Sequence, residues 1–265
     1  GYDSCPSDLG ALLIANHLRA HGEDTARVDG FHAGKGGLNG GTLATMLAMG
    51  EHGRLGDAKR PFLLNPDGSD VPASVARDSA NQTSVYFHPR AQRYAAPFFM
   101  GDINSRVVRR SAALLAAEGA GYGPDFVYQE YFGTTSWVAA QAICLGIRSS
   151  GALASSHSLR ALAAKLGPKV GEGPSEETMD NGFTKSEFYG VGSRGTLVTA
   201  EVSGQGDPGN RVTVRFLSET ALALAVDVER LPRRFGFLTP ATGLGTVLID
   251  RMRARGMRLE VTSPV

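Results

Sequence analysis

Residues 1–10 read Gly1-Tyr2-Asp3-Ser4-Cys5-Pro6-Ser7-Asp8-Leu9-Gly10, and they decide how the rest of the chain is understood. This turn runs straight into Leu9, Leu12, Leu13 and Leu18, an apolar recurrence at helical spacing. The pattern predicts a helix over 6–21, stopped near Gly22, with Ser4 or Ser7 as its cap and Asp8 favourably placed in the first turn. No strand, initiator Met or leader precedes it. The stretch therefore reads as a strand-to-helix corner inside a domain, because a first helix at a natural domain start would have nothing to pack on. The expectation is that these 265 residues are the rear portion of a longer protein.

The composition is globular: 42% hydrophobic and 20% charged, long enough to bury a core. Lys and Arg number 27 against 26 Asp and Glu, which gives no global electrostatic case for nucleic acid. The two cysteines, Cys5 and Cys144, have neither metal-type spacing nor a disulfide framework, so a reducing compartment is expected. No uninterrupted apolar run reaches about 18 residues. Trp137–Ile147 comes nearest but is short and contains Gln141, and a core helix is its plain reading. The expected protein is soluble and cytoplasmic.

Outward from the first helix, Thr25–His32 reads as a strand and Thr42–Met49 as a helix, followed by a long excursion over 53–78. A short strand is expected at Ser84–Phe87, the strongest helix at Pro97–Ala117 and a strand at Phe126–Tyr131. Helices follow at Thr135–Ile147 and Ser158–Leu166, then a Gly- and Pro-rich loop over 167–175 and a half-buried strand within Gly195–Ser203. Asp207-Pro208 and Thr239-Pro240 are cap-then-proline signals, opening helices through about Val226 and to Arg255. Met257–Val261 closes the chain as a strand. The mixed order predicts an α+β fold with an open, mixed or antiparallel sheet covered by helices.

Several residues could carry chemistry. There is no Gly-x-Gly-x-x-Gly turn and no Walker loop. The stretch GKGGLNGGT (34–42) ends at a helix start, where the amides of Gly40, Gly41 and Thr42 suit a carboxylate, phosphate or carbonyl oxygen, or simply enter the helix. Arg106, Arg109 and Arg110 share one helix face, read either as solvated or, with Asn104 close by, as a site for an anionic or amide-bearing ligand. The histidines at 17, 21, 32, 52, 88 and 157 are scattered, and only His17 and His21 have ligand-like spacing, on what reads as an exposed face. Cys5, near a helix start, is either packed or lowered in pKa.

Taken together, the motifs resemble the saccharopine dehydrogenase-like oxidoreductases, closest to the branch of trans-acting enoyl reductases. The blocks GYDSCPSDLG (1–10), GGTLATML (40–47), PFFMGDINSRVVRRSAALL (97–115), GEGPSEE (171–177), GDPGNRVTVRFLSETALALA (206–225) and FLTPATGLGTVLIDRM (237–252) fall in order along the whole chain. Asp102, Lys169 and Asn210 depart from the family pattern. The resemblance implies a preceding Rossmann domain that holds NADP or NAD. It divides the present chain into 1–24 as the trailing helix of that domain, 25–235 as an α+β substrate and dimerisation domain, and 236–265 as a returning helix and strand.

The same resemblance puts Asp3, Ser4, Cys5, Pro6 and Ser7 beside the nicotinamide. It turns Gly40, Gly41, Thr42, Asn104, Arg106 and Arg109 toward the substrate. The implied activity is hydride transfer to an enoyl, lipid-like or acyl substrate in lipid metabolism, by a protein that can form a homodimer, with the chain alone inactive. Gly41 and Thr42 amides would steady an enolate oxygen, and Cys5, His32 and Tyr94 are candidate proton donors. The rival reading is a non-catalytic lipid- or partner-binding or dimerisation module, in which Trp137–Ile147 lines an acyl pocket or touches a membrane.

Overall fold

The computed structural model of the chain describes residues 2–51 and 60–264. Gly1, His52 and the first part of the 53–78 excursion lie outside the described residues. Helix α1 (Cys5–Ala20) carries Pro6 in its first turn, where a missing amide costs nothing. It lies across the sheet, and two glycines set how deeply. A Cβ on Gly10 would meet the Phe188 ring at 2.3 Å, and one on Gly190 would meet Ile14 at 2.3 Å. Helix and sheet each leave room for the other's side chain, and Leu9, Ile14 and Leu18 are fully buried as a result.

The strands are β1 (Thr25–Lys35), β2 (Tyr86–His88), β3 (Arg93–Pro97), β4 (Val127–Thr134), β5 (Phe183–Gly192), β6 (Leu197–Gln205) and β7 (Arg258–Pro264). They form one open sheet in the order β2-β3-β4-β1-β5-β6-β7. β1 and β4 are parallel, and the remaining neighbours are antiparallel. Ten α-helices accompany these seven strands among the described residues, so the fold is α+β with a mixed open sheet, as the sequence predicts.

Helices α4 (Gly101–Ala116), α8 (Thr213–Val226), α9 (Pro240–Gly243) and α10 (Gly245–Ala254) share one apolar core with α1 and one face of the sheet. Val28, Tyr128, Phe188, Ala200 and Val202 reach that core from the strands, and Val108, Phe216, Leu248 and Met252 from the helices. The opposite face carries a smaller cluster of Phe31, Ala91, Ala95 and Tyr131, flanked by Tyr86 and Tyr189. Helices α2 (Gly40–Glu51), α5 (Trp137–Ser155) and α6 (His157–Leu166) pack on one another, and α5 also rests on β3 and β4. Two short helices, α3 (Ala73–Asp78) and α7 (Glu176–Asp180), complete the set.

Several expectations are corrected. α3, β3, α7 and β5 were not predicted, and β5 is a central strand. The helix beginning near 137 is no core helix: it extends to Ser155, with Trp137 52% and Leu145 66% exposed. Ser4 stands at the cap of α1 without capping it, whereas Asp8 does lie in the first turn as predicted, fully buried. The arginine face of α4 is not solvated, since Arg106 and Arg109 are buried.

The two cap-then-proline signals are real but open shorter elements than expected. Asp207 accepts from the amides of Asn210 and Arg211 over one π turn (Pro208–Val212) that leads into α8. Thr239 and Thr242 form a reciprocal capping box on α9, and Gly245, at φ +55°, separates α9 from α10.

Candidate functional site

Register brings the site together. β4, β1 and β5 are neighbours, so Glu130, Gly30 and Phe188 form one row across the sheet, and Phe132, His32 and Ser186 form the next. Side chains two apart on a strand share a face. His32 and Ser186 are therefore directly opposite, with Nδ1 to Oγ at 2.9 Å, and Glu130 sits diagonally across, with Oε1 3.2 Å from His32 Nε2. Gly30 is the floor beneath them: a Cβ there would come within 3.2 Å of His32 Nε2, the Tyr128 hydroxyl and the Phe188 ring.

All the central groups are buried: His32 5%, Glu130 2%, Asn104 1% and Ser186 0% exposed. A buried carboxylate needs hydrogen bonds or countercharge. Glu130 receives the Tyr128 hydroxyl at 2.6 Å and the Asn104 side-chain amide at 2.9 Å, and Asn104 Oδ1 in turn accepts the Ser4 hydroxyl at 2.9 Å. The start of α4 lies against it, since Gly101 is 3.5 Å from the Glu130 Cβ when a Cβ is built there. Among the described residues its ion-pair partner is His32. His32 Nε2, although 3.2 Å from that carboxylate, lies off the hydrogen-bond axis and makes no hydrogen bond. It is one of several buried polar atoms among the described residues without an aligned partner.

On the other side, Thr184 donates to the Tyr2 hydroxyl, which also faces Ser186, and burial raises the Tyr2 phenol above its ordinary pKa. Two polar chains thus run from the His32–Glu130 pair to the segment 2–4, one through Asn104 to Ser4 and one through Ser186 to Tyr2. Phe98 stacks on the His32 ring (4.6 Å, 15°) and meets Phe132 edge-on at 4.7 Å. Phe99, also against Phe132, is 54% exposed. The arrangement is a buried histidine–carboxylate pair among neutral hydrogen-bonding groups, with the imidazole stacked on an aromatic cluster of Phe98, Phe99 and Phe132.

The residues named from sequence distribute as follows. Ser4 and Asn104 join this network. Cys5 does not supply a reactive thiolate, because burial pushes its thiol up to about 12. Arg106 donates to the Arg60 carbonyl at 2.9 Å and Arg109 to the carbonyls of Pro61 and Tyr128, with Arg109 also over the Phe62 ring. Both tie the segment after residue 59 to α4, and burial pulls the Arg109 guanidinium down to about 10.

Gly40 gives its amide to the Glu172 carbonyl, and a Cβ on it would collide with the Lys169 carbonyl. Gly40, Gly41 and Thr42 thus open α2 against the 167–175 loop. Tyr94 pairs with Phe87 at the sheet edge, and His17 and His21 stack on each other on the exposed side of α1. Glu130, Tyr128, Thr184 and Ser186 were not named from sequence. The one available signal was Tyr128 and Glu130 alternating along a predicted strand.

In the segment 3–7, Ser4 Oγ donates to Asn104, the Cys5 amide donates to the Tyr2 carbonyl, and position 6 is proline.

Comparison with known proteins gives one consistent relationship. The chain is 33% identical over 280 residues to a Mycobacterium tuberculosis protein provisionally named a trans-acting enoyl reductase, covering 99% of this chain and 66% of that protein. Trans-acting enoyl reductases of Mycobacterium ulcerans and Mycobacterium bovis are 31% and 28% identical, again over 99% of the chain and 66% of their length. The chain thus spans 66% of the length of the curated relatives it matches. No protein-family model matches it, and no solved structure does. These relatives support the enoyl reductase branch of the resemblance.

Proposed function

We propose that the chain belongs to the trans-acting enoyl reductases, within the wider saccharopine dehydrogenase-like oxidoreductases, and supplies their substrate side. The nicotinamide nucleotide, NADP or NAD, is held by the third of the protein that this chain does not span. The observation that carries the reading is the buried His32–Glu130 pair behind an aromatic wall, in a chain similar over 99% of its length to proteins so named.

Reduction of an enoyl group needs a proton for one carbon and a group that steadies the carbonyl oxygen. His32 holds the proton, Glu130 and Asn104 set its ring, and Ser186 links it toward the buried Tyr2 hydroxyl at the start of the chain. Phe98, Phe99 and Phe132 take the apolar part of an acyl substrate. Residues 2–24 and 236–264 border the nucleotide domain while packing on the same sheet.

The test uses the full-length protein, an unsaturated acyl thioester and NADPH, with cofactor oxidation followed spectroscopically. We expect turnover in the wild type and a loss of about 10²- to 10⁴-fold in His32→Gln, the range of a general acid–base contribution, with NADPH binding unchanged. Residues 1–265 alone should neither turn over nor bind NADPH tightly. Wild-type turnover that survives His32→Gln undiminished would falsify the assignment.

A further inference from the structure

Helix α6 buries none of its residues. Leu159, Leu162 and Leu166 recur at i, i+3 and i+7, one face of a helix, and are 40%, 51% and 75% exposed. Beside it, α5 leaves Trp137 and Leu145 exposed, and Val170, just beyond α6, is 77% exposed. Leaving this much apolar surface in water is unfavourable at roughly 25 cal/mol per Å², so this side of the molecule is made to be covered.

Charge indicates what covers it. From residue 131 to 171 the chain has no Asp or Glu, but it has Arg148, Arg160, Lys165 and Lys169. The whole chain is balanced at 27 basic to 26 acidic residues, so the asymmetry is local. Protein interface cores are depleted in lysine. Along the sequence the leucine stripe of α6 is accompanied by cations alone until Glu172, and this is what an anionic lipid surface accommodates: leucines among the upper acyl chains, cations at the headgroups. No helix among the described residues is long and apolar enough to cross a membrane.

We propose that α5 and α6 dock the protein on the surface of an anionic bilayer. This assignment is independent of the reductase reading, and the two stand or fall on separate experiments.

The test is co-flotation of the full-length protein with vesicles of phosphatidylcholine alone or with about one third phosphatidylglycerol. We expect flotation with the anionic vesicles, weakened by salt, and about tenfold weaker binding for Leu162→Asp/Leu166→Asp, since each charge must leave water. The melting temperature should not change, because α6 buries nothing. Lys165→Glu should weaken binding while keeping every leucine. The proposal is overturned if the protein stays at the bottom of both gradients, or if the leucine variant floats as well as wild type. It is equally overturned if light scattering shows that those substitutions split a dimer, which makes the face a contact between copies.

Discussion

Strand β1 carries two buried histidine–carboxylate pairs, one on each face, and they are built differently. On the face away from α1, Asp29 sits 3.2 Å from His88 Nε2, and it also binds Arg27 through both oxygens at 2.8–2.9 Å. Arg90 approaches at 3.9 Å and the Tyr131 hydroxyl at 3.4 Å. The Ala91 amide donates to His88 Nδ1, which fixes the ring proton on Nε2, aimed at Asp29. Burial alone would raise the Asp29 carboxyl, but His88 and Arg27 outweigh it and hold it below its usual range.

On the α1 face, Glu130 and His32 are as deeply buried, yet their other partners are neutral: a phenol, an amide and a hydroxyl. One pair is locked by guanidinium groups; the other is held by neutral dipoles, with a ring nitrogen that lacks an aligned partner. That difference is what the proposed role of His32 rests on.

Isosteric amides break the comparison most sharply. Asp29→Asn removes the charge facing Arg27 and turns an NH₂ toward donors. It should destabilise by about 3 kcal/mol, the low end for breaking a buried pair because Arg27 is 31% exposed. Glu130→Gln can give its oxygen to Asn104 and its NH₂ to the Tyr128 oxygen, so its stability should stay within about 1 kcal/mol of wild type. Its turnover should nevertheless fall with that of His32→Gln. Denaturant unfolding of both variants, set beside their activities, reads out all four quantities. Equal destabilisation of the two would end the distinction.

Asp8 sharpens the same contrast through pH. It accepts from Ser111 and, at 2.7 Å, from the Ala241 amide, with no cation near, and burial pushes its carboxyl up to about 6. A group whose folded pKa is raised binds more protons when folded. Its contribution is therefore greatest below the unfolded value near 3.8 and is lost as the pH rises to about 6. The stability of wild type minus Asp8→Asn should fall by about 2–3 kcal/mol over that interval and then stay flat. For Asp29, whose pKa is lowered, the wild-type advantage over Asp29→Asn should instead be lost as the pH falls. Thermal melts decide it if they reach below the unfolded carboxylate value near 3.8, where the Asp29 advantage is lost, as well as across the Asp8 interval up to about 6: slopes of the same sign for both variants in their own windows would contradict this account.

The architecture was largely legible in the sequence, while the site was legible in three residues, Ser4, His32 and Asn104. α1, α4, β6 and α8 appear where their periodicity predicts, although α1 is buried nearly all round and α8 leaves Leu217 and Leu224 exposed. β5 was hidden because its buried face reads Thr184, Ser186, Phe188 and Gly190. Two of these line the polar site and one makes room for α1, so the strand lacks the apolar alternation by which strands are recognised. α5 misled in the opposite sense, since its small residues Ala140 and Cys144 face the sheet while its largest apolar ones, Trp137, Val138 and Leu145, face outward. Ser4 and Asn104 could be named from sequence, but not their link to His32 through Glu130, because the register of three strands far apart in the chain creates it.

That register leaves one position where the His32–Glu130 pair can be disturbed with little cost to the fold. Gly30 lies between β4 and β5, and its absent side chain is the space that His32 Nε2, the Tyr128 hydroxyl and Phe188 converge on, each 3.2 Å from a Cβ built there. In Gly30→Ala these neighbours must yield by a few tenths of an ångström. Phe188 is held by α1, and Tyr128 by its bond to Glu130, which leaves the His32 ring as the group able to move. The stability cost should be about 1 kcal/mol, an overpacking penalty at the low end. Turnover should fall about tenfold, since small displacements of a catalytic group are expensive. An equivalent methyl at Gly41, where the structure leaves open space within 4 Å, should do neither. Parallel activity and unfolding measurements on the two alanine variants would show whether the His32 position governs the chemistry, because unchanged turnover in Gly30→Ala leaves the His32–Glu130 pair no more than a second structural lock.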